Sequence, residues 1–220
     1  VALYSLIREN ERCESLTQNK KTTTQETELM IVAHPDDEFL WGGEYLLKRN
    51  HSVHVVVTST QNQNAKTRRA EFMAAEKRLG YHGELLDGSD SHKSMNLEGH
   101  IKRRIHDLIC GQEWEKIITH GPEGEYGHPK HQQVHDAVVD AVKFCCRLDK
   151  LHVFEPRPMD GYSFSKEKEQ VGRVYESQWK VLKKFEHWKE RIVSFAEYDF
   201  QHASKDCREE AARSGSTSTR

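Results

Sequence analysis

The chain of 220 residues alternates between short apolar runs and longer stretches with helical spacing. The apolar runs, which read as strands, lie at residues 29–33, 53–58, 84–86, 116–119 and 151–154. The helical stretches lie at residues 40–49, 65–79, 97–110, 131–146 and 171–195, the last predicting one long final helix. This alternation predicts an α/β fold: a Rossmann-like, mostly parallel sheet of about five or more strands, with helices on both faces.

The charge and hydropathy of the chain exclude two classes of protein. Thirty-three Lys and Arg side chains against 35 Asp and Glu side chains give a formal net charge of −2. A nucleic-acid binder normally carries a basic excess, so we expect no nucleic-acid partner. No apolar run approaches the roughly 18–20 residues of a membrane-spanning helix, so we expect no membrane span. Self-association into a homo-oligomer stays open.

The two ends of the chain differ in composition from its middle. No apolar residue lies between Leu16 and Leu29, so residues 1–28 are predicted to form an N-terminal arm, a short helix followed by a polar linker. Residues 203–220 are rich in charged and small polar residues and predict a flexible C-terminal tail. A single α/β domain is then expected over residues 29–202. Because the chain begins at Val1, we expect that a preceding segment was trimmed.

The cysteine content bears on the compartment. Five cysteines are an odd number, and none of them forms a C-x-x-C pair. From this pattern we do not expect a disulfide framework. It favours a cytoplasmic or other reducing compartment.

Titratable side chains follow several of the predicted strands. The segment 34–38, His-Pro-Asp-Asp-Glu, follows the first strand, and the segment 120–131, His-Gly-Pro-Glu-Gly-Glu-Tyr-Gly-His-Pro-Lys-His, follows the fourth. Asp90 lies after the third strand, and Arg68 lies near the start of the helix that follows the second. Ligands of parallel α/β folds bind beyond the carboxyl ends of the strands, so these groups are predicted to meet at one edge of the sheet.

The residue types at this edge indicate a metal site. Imidazole and carboxylate groups are natural ligands of a divalent metal such as zinc. Pro35 bends the chain, so that His34 and Asp37 can share a metal. His128 and His131 are three residues apart, so one can bind metal while the other faces a substrate. A metal lowers the pKa of its bound water from 15.7 to about 7, and a neighbouring carboxylate can accept the proton.

In their order and spacing these motifs resemble the PIG-L/LmbE family of zinc-dependent deacetylases. The resemblance is carried by Ala33–Glu38 followed by Gly42-Gly43, by Arg68-x-x-Glu71, and by Tyr126–His131, and it extends over about residues 29–154. The family removes N-acetyl groups from glucosamine-containing molecules. The resemblance therefore implies a metal-dependent amidohydrolase that deacetylates a small molecule or oligosaccharide containing N-acetylglucosamine.

The resemblance also implies roles for the residues that form the first motif and the end of the second. His34, Asp37 and His131 would hold one Zn²⁺ per chain, with other divalent metals such as Fe²⁺ as alternatives. Asp36 would be the general base. All four residues stand at positions that match the family's motifs.

Four further residues would act on the substrate by the same resemblance. His128 would stabilise or protonate the tetrahedral intermediate, and Tyr126 would help to polarise the acetyl carbonyl. Arg68 and Asp90 fall where the family contacts the sugar. The family usually has Asp where this chain has Lys130, which leaves the metal ligands intact and affects local orientation. Glu123 and Glu125, expected near the mouth, disfavour an anionic aglycone.

Two other functions fit parts of the pattern. Two histidines and one carboxylate also describe the non-haem Fe(II) facial triad, in which His34-Pro-Asp36 would bind the metal and the reaction would be oxygenation. Those oxygenases are commonly double-stranded β-helix proteins, whereas this chain alternates strand and helix. A non-catalytic sugar-binding module would be expected to have lost the base or a ligand, and neither is lost here.

Overall fold

A computed structural model describes residues 26–49, 51–61, 64–90 and 96–202. Its strands are β1 (Glu28–Val32), β2 (Val53–Gln61), β3 (His82–Ser89), β4 (Lys116–Thr119), β5 (Leu151–Phe154), β6 (Arg157–Pro158), β7 (Trp188–Lys189) and β8 (Ile192–Ser194). Its helices are α1 (Asp37–Leu46), α2 (Ala65–Leu79), α3 (Gly99–Gly111), α4 (Pro129–Phe144), α5 (Lys166–Gly172), α6 (Trp179–Leu182) and α7 (Phe195–His202). Shorter helical turns lie at Gly124–Gly127, Leu148–Lys150, Glu176–Gln178 and Lys183–Phe185.

Six of the strands form one sheet in the order β3-β2-β1-β4-β5-β8. Strands β1, β2, β3, β4 and β5 are mutually parallel, and β8 pairs antiparallel with β5. Strands β6 and β7 form a separate two-stranded antiparallel ribbon. The predicted α/β fold with a mostly parallel sheet is thereby confirmed.

The sheet is buried on both faces because successive residues of its strands are apolar and point to opposite sides. In β1, Leu29 and Ile31 enter the core on the side of α3 and α4. Met30 and Val32 point the other way, into a core shared with α1, α2 and the segment that follows β5. Successive side chains of a strand face opposite sides, so near-continuous apolar runs suit a sheet covered by helices on both faces.

The strand order places a switch point in the middle of the sheet. The chain runs from β1 outwards to β2 and β3, and then returns to add β4 and β5 on the opposite side of β1. The loops after β1 and β4 therefore leave the same edge of the sheet in opposite directions, and a crevice opens between them. The motif segments, residues 34–38 and 120–131, lie in these two loops and in the first residues of α1 and α4, the helices that follow them.

The predicted long helix over residues 171–195 is wrong. In its place the chain forms α5, the end of which contains Gly172, then α6, short helical turns and the strands β7 and β8. A side chain at Gly172 would lie 2.4 Å from the ring of Phe39, so the close contact between the segment and α1 depends on glycine here. The apolar residues of this stretch do pack against the sheet, but strand pairing with β5 overrides their helical spacing.

The predicted arm and tail fall almost entirely outside the described residues. Glu28, predicted as the last residue of the arm, is the first residue of β1. The predicted short helix near the start and the tail over 203–220 lie outside the described ranges, and the division into domains stays a prediction. Among the helices of the described ranges, none combines the length and apolar character needed to cross a bilayer.

A disulfide between two helices departs from the cysteine-based prediction. Cys110, near the end of α3, is bonded to Cys145, which directly follows α4, and the Cα atoms lie 5.5 Å apart. Thirty-five residues separate the two cysteines in the chain. Their pairing depends on how α3 packs against α4, so neither local spacing nor the odd number of cysteines could indicate it.

Candidate active site

The loop after β1 forms the floor of the candidate site. The backbone N–H of His34 donates to Asp37 Oδ2 at 2.8 Å, and His34 Nδ1 lies 3.1 Å from the same oxygen. Pro35 and Asp36 lie in the turn between them, and Asp37 begins α1. This turn brings the carboxylate of Asp37 and the ring of His34 together, as the sequence predicted.

The loop after β4 brings His131 to the same place. His131 Nε2 lies 3.3 Å from Asp37 Oδ2, and His131 Nδ1 lies 2.5 Å from Oε2 of Glu125. Burial opposes a charge on His131, but the two carboxylates raise its pKa to about 10. In the same way burial opposes ionisation of Glu125, but His120 and His131 lower its pKa to about 2. The two carboxylates therefore favour positive charge at His131.

A second histidine on this loop, His120, completes the support of Glu125. Glu125 Oε2 lies 2.9 Å from His120 Nδ1, and Oε1 accepts the N–H of Gly121. His120 Nε2 accepts the backbone N–H of Ala33 at 2.9 Å, so its proton is on Nδ1 and donated to Glu125. Both ring nitrogens of His120 are thereby used within the protein, which leaves this histidine no atom for a metal.

The donor set at the edge of the sheet fits a divalent metal. His34 Nδ1 and His131 Nε2 lie 3.1 Å and 3.3 Å from Asp37 Oδ2. Neighbouring ligands around a tetrahedral zinc with bonds near 2.0–2.1 Å are about 3.3 Å apart. His131 is buried, and its Nε2 faces the carboxylate of Asp37. At this edge of the sheet, donor atoms of His34, His128 and His131 all lie within 4.8 Å of one another, and so do those of Asp37, His120 and His131, although both ring nitrogens of His120 already have partners within the protein.

Asp36 has an unusual backbone and an unusual environment. Its φ is 129°, which a residue with a side chain rarely adopts and which costs of the order of 1–3 kcal/mol. Its N–H donates to Glu38 Oε2 at 3.0 Å, and its Oδ1 accepts from Arg68 at 2.7 Å. Burial, opposed by Arg68, raises the pKa of Asp36 to about 7. A carboxyl group with this pKa is suited to accept and release a proton near neutral pH.

His128 and Tyr126 flank the donor set on its open side. His128 is the N-cap of α4, and its Nδ1 accepts the N–H of Lys130, so in the neutral ring Nε2 carries the proton. Burial, aided by the charges of His131 and His34, lowers the pKa of His128 to about 4. The ring of Tyr126 lies 5.7 Å from that of His128, and its side chain is 45% exposed.

The two predicted sugar contacts, Arg68 and Asp90, also lie at this site. Arg68 donates to the backbone oxygen of Pro35 and to Asp36. Asp90 Oδ1 lies 2.8 Å from His34 Nε2. Within the protein, Arg68 and Asp90 thus hold Asp36 and His34 in place. Both line the cleft, and their contact with a sugar stays a prediction.

The cleft over these groups has a volume of about 160 Å³. One side is formed by the loops after β1 and β4, and the other by the segment after β5 through Gln178, Val181 and Phe185. Phe185 lies 4.8 Å from the ring of Tyr126, so an aromatic wall borders the open side. The predicted site residues His34, Asp36, Asp37, Arg68, Asp90, Tyr126 and His128 all line this cleft, and His131 lies directly beneath it.

Several residues that hold the site were missed or misassigned from the sequence. Glu125 was expected at the mouth but is buried at 0% exposure, and Glu123 lines a separate cavity. Glu38, which holds the N–H of Asp36, accepts the hydroxyl proton of Tyr175, a residue 137 positions further along the chain. Glu38 and Glu125 each belong to a motif segment, which is the signal that could have found them. Tyr175 carried no such signal.

Two curated relatives have similar sequences. Protein L374 of Acanthamoeba polyphaga mimivirus, which is uncharacterised, is 25% identical over 71% of this chain and 73% of its own length. A 1D-myo-inositol 2-acetamido-2-deoxy-alpha-D-glucopyranoside deacetylase of Corynebacterium jeikeium is 28% identical over 53% of this chain. The match spans half (50%) of that enzyme's length.

Two solved structures have a similar fold. An N,N'-diacetylchitobiose deacetylase from Pyrococcus horikoshii aligns with a TM-score of 0.59 and 15% identity over 92% of this chain and 96% of its own. A 4-carboxy-2-hydroxymuconate hydratase from Pseudomonas putida aligns with a TM-score of 0.54 and 17% identity over 89% and 91%. A hydratase and a deacetylase share this architecture, so the fold alone does not identify the reaction.

A family match extends over the part of the chain that builds the site. The model of the family described as PIG-L, GlcNAc-PI de-N-acetylase, matches residues 29–142, slightly more than half of the chain. This range includes both motif segments and every residue predicted at the site. The chain belongs to the PIG-L family of GlcNAc-PI de-N-acetylases, and so to the deacetylating hydrolases.

Proposed function

We propose that the protein is a zinc-dependent hydrolase that removes the N-acetyl group from a small molecule or oligosaccharide containing N-acetylglucosamine. One observation carries the proposal. His34 Nδ1 and His131 Nε2 lie 3.1 Å and 3.3 Å from the same oxygen of Asp37 at the base of the cleft. These are the distances between neighbouring ligands of a zinc ion, so the three side chains would suit a metal bound among them.

The ligands of the metal would be His34, Asp37 and His131. Glu125 orients His131 through its Nδ1, as carboxylates commonly do for metal-binding histidines. The deacetylase family favours zinc, and Fe²⁺ suits the same ligands. When bound, the metal would supply Lewis-acid polarisation of the acetyl carbonyl and lower the pKa of a water in the site.

Asp36 would accept the proton of the attacking water. Its pKa of about 7 allows it to bind a proton during attack and to release it afterwards. Arg68 fixes the carboxylate by its hydrogen bond to Oδ1, and Glu38 fixes the backbone by accepting the N–H. In the facial-triad alternative Asp36 would instead be a metal ligand, but it is Asp37 whose oxygen lies within 3.1–3.3 Å of His34 and His131.

His128 and Tyr126 would act on the other side of the scissile amide. His128 carries its ring proton on Nε2, since Nδ1 is used as the helix cap, and so it can donate a hydrogen bond to the developing oxyanion. Its lowered pKa keeps the ring neutral, so the proton for the leaving amine would come from Asp36, which has taken it from the attacking water. Burial raises the pKa of Tyr126, which keeps its hydroxyl protonated and able to donate to the acetyl oxygen. Both side chains line the cleft.

The activity is tested with a panel of N-acetylglucosamine conjugates assayed for released amine. The panel contains an inositol conjugate, chitobiose and a lipid-linked form, because the deacetylases similar in sequence or fold act on the first two and the family is named for the third. A cleft of about 160 Å³ favours the small soluble conjugates. Amine release that is abolished by a chelator and restored by Zn²⁺ or Fe²⁺ supports the proposal.

Two outcomes would overturn it. Turnover that requires molecular oxygen would indicate the facial-triad chemistry instead. A chain that binds no metal and releases no amine from any acetamido sugar would indicate the sugar-binding module. As a matched control, Asp87→Asn changes a carboxylate that lies at the same sheet edge but is exposed and contacts His100, so it is expected to leave amine release unchanged.

A further inference from the structure

We propose that His106, Cys110 and Cys145 form a second metal site, which becomes available when the Cys110–Cys145 disulfide is reduced. The side-chain donors of these three residues all lie within 4.8 Å of one another. Two thiolates and one imidazole form a soft donor set that favours zinc and similar ions. The proposal is independent of the deacetylase activity, because no residue of the cleft takes part in it.

The imidazole is already placed as a ligand would be. His106 and Cys110 are four residues apart on α3, so both side chains lie on one face of the helix. His106 Nε2 lies 3.5 Å from Cys110 Sγ, and nitrogen and sulfur ligands of a tetrahedral zinc are about 3.6 Å apart. His106 Nδ1 lies 3.6 Å from Asp107 Oδ1, a carboxylate that can fix the tautomer with Nε2 as the ligand atom.

The two cysteines are expected to stay adjacent after the bond between them is broken. Arg147, two residues after Cys145, donates to the backbone oxygens of Ile109 and Gln112 at the end of α3. Side chains of α3 and α4 also share one buried core, which includes Ile105, Ile109 and Val142. These contacts hold the helix ends together without the disulfide.

The site is open to solvent on the histidine side. His106 is 41% exposed, whereas Cys145 is almost completely buried. Three protein ligands with an open fourth position leave room for water or for an exchanging ligand. Cys145 follows the end of α4 and His131 lies near its start, about 21 Å away at 1.5 Å per residue, so the second site is remote from the cleft.

The chemistry of opening the site requires a dithiol reductant. The dithiol gives two electrons and two protons, the S–S bond between Cys110 and Cys145 breaks, and two thiols form while the dithiol closes to its own disulfide. Binding of a divalent cation then releases the two thiol protons. In the bound state the metal would replace the disulfide as the link between α3 and α4.

The test uses Co²⁺ as the probe, added to the full chain before and after reduction and removal of the dithiol under nitrogen. Thiolate ligands produce a sulfur-to-cobalt charge-transfer absorption that the histidine and carboxylate groups of the cleft cannot produce. Cys146 is also disulfide-bonded, so the comparison is made in a Cys146→Ser background, in which its thiol cannot contribute. We expect reduced protein to show this absorption and to bind one Co²⁺ more than oxidised protein. Cys110→Ser and Cys145→Ser are each expected to lose both signals.

His106→Ala provides a variant that keeps the cysteines and changes a half-exposed side chain, so it is expected to fold. Loss of one ligand should weaken Co²⁺ binding about tenfold or more, while the disulfide still forms in the oxidised chain. His100→Ala, on the same helix, is the matched control and should bind as the unaltered chain does. No charge-transfer band after reduction, a band that persists in Cys145→Ser, or unchanged affinity in His106→Ala would each overturn the proposal.

Discussion

The sheet from β1 to β5 and the segment that follows it, residues 155–202, are built on different principles. In the sheet, long apolar strands pair in parallel and helices cover both faces. In the segment, helices and strands are short, and side chains reach back to the sheet: Lys168 to the backbone oxygen of Leu40, Ser177 to Glu71 and Tyr175 to Glu38. The sheet is stabilised by strand pairing and apolar burial that repeat from strand to strand. The segment is stabilised by individual side-chain hydrogen bonds to the sheet and its helices.

The two regions also contribute different groups to the cleft. The proposed metal ligands and the proposed base all lie in the loops after β1 and β4 or in the first turns of the helices that follow them, at the switch point of the sheet. The later segment supplies one wall of the cleft and the hydroxyl group that binds Glu38. We therefore expect changes in the loops to remove activity and changes in the segment to alter stability and positioning.

The largest effect is expected from Asp36→Asn in the loop after β1. Asparagine keeps the shape and tolerates positive φ but cannot accept the proton, so amine release should fall by about 10²–10⁴-fold. Metal content, measured by elemental analysis, should stay at the value of the unaltered chain because Asp36 is not a proposed ligand. Activity within tenfold of the unaltered chain would exclude Asp36 as the base.

In the later segment the largest effect is expected from Lys168→Met. Lys168 is fully buried, donates to Glu190 and to Leu40, and lies 4.4 Å above the ring of Phe164. Removing it leaves Glu190 buried without its cation, so the free energy of unfolding in urea should fall by about 3–5 kcal/mol.

Two further variants check that interpretation. Lys166→Met, at an exposed position two residues away, should change the free energy of unfolding by less than about 0.5 kcal/mol. Adding Glu190→Gln to Lys168→Met should recover part of the loss, because the uncompensated carboxylate is then gone. Equal losses in the single and the double variant would indicate that packing, and not charge, makes Lys168 important.

Tyr175→Phe tests the link between the two regions. Its hydroxyl group donates to Glu38, which in turn holds the N–H of Asp36. Loss of such outer contacts typically lowers activity about 10–100-fold, and we expect kcat to fall while metal content and KM change little. Tyr162→Phe, in the same segment but without contact to Glu38, should be indistinguishable from the unaltered chain. If both variants behave alike, the segment does not position the base.

The smallest effect is expected from Glu84→Gln, within the sheet region. Its contact with His54 and its two hydrogen bonds from Arg104 lower the pKa of Glu84 to about 2. Because the folded pKa lies below the unfolded value, this group stabilises the protein above about pH 4.5, and the contribution is lost as pH falls towards 2.

The variant should therefore be less stable near pH 6, by about 1–2 kcal/mol after screening is allowed for, and should lose less stability on acidification. Glu115→Gln, at an exposed position, is the control. Unfolding in urea at pH 6 and pH 3 measures both. Parallel pH profiles for Glu84→Gln and the unaltered chain would contradict the expectation.

The sequence predicted the sheet well because apolar periodicity and the alternation of strand and helix are local properties. A strand such as residues 53–58, which is buried on both faces, is expected only in a sheet that helices cover on both sides. The sequence also predicted which side chains would meet at the carboxyl edge, since the rule for parallel sheets needs no knowledge of distances. Segment 171–195 failed because its apolar spacing suits a helix, whereas the pairing of β8 with β5 depends on a distant partner.

The supporting contacts of the site could not be predicted for the same reason. Glu125 lies in a motif segment, but only the fold turns it inwards between His120 and His131. Tyr175 reaches Glu38 across 137 positions of sequence. Lys130, where the family usually has Asp, is 3% exposed and its Nζ has no hydrogen-bond partner among the described residues, for which the structure offers no explanation.

The short strand β8 has a practical consequence for any shortened form of this chain. Three residues of β8 cover the outer edge of β5, whose Leu151, Val153 and Phe154 are buried. The family match ends at residue 142, inside α4 and before both strands. A fragment cut at that point would leave the backbone of β4 unpaired along one side, and an uncovered apolar strand of this kind recruits other chains. The smallest fragment we expect to remain monodisperse extends past Ser194.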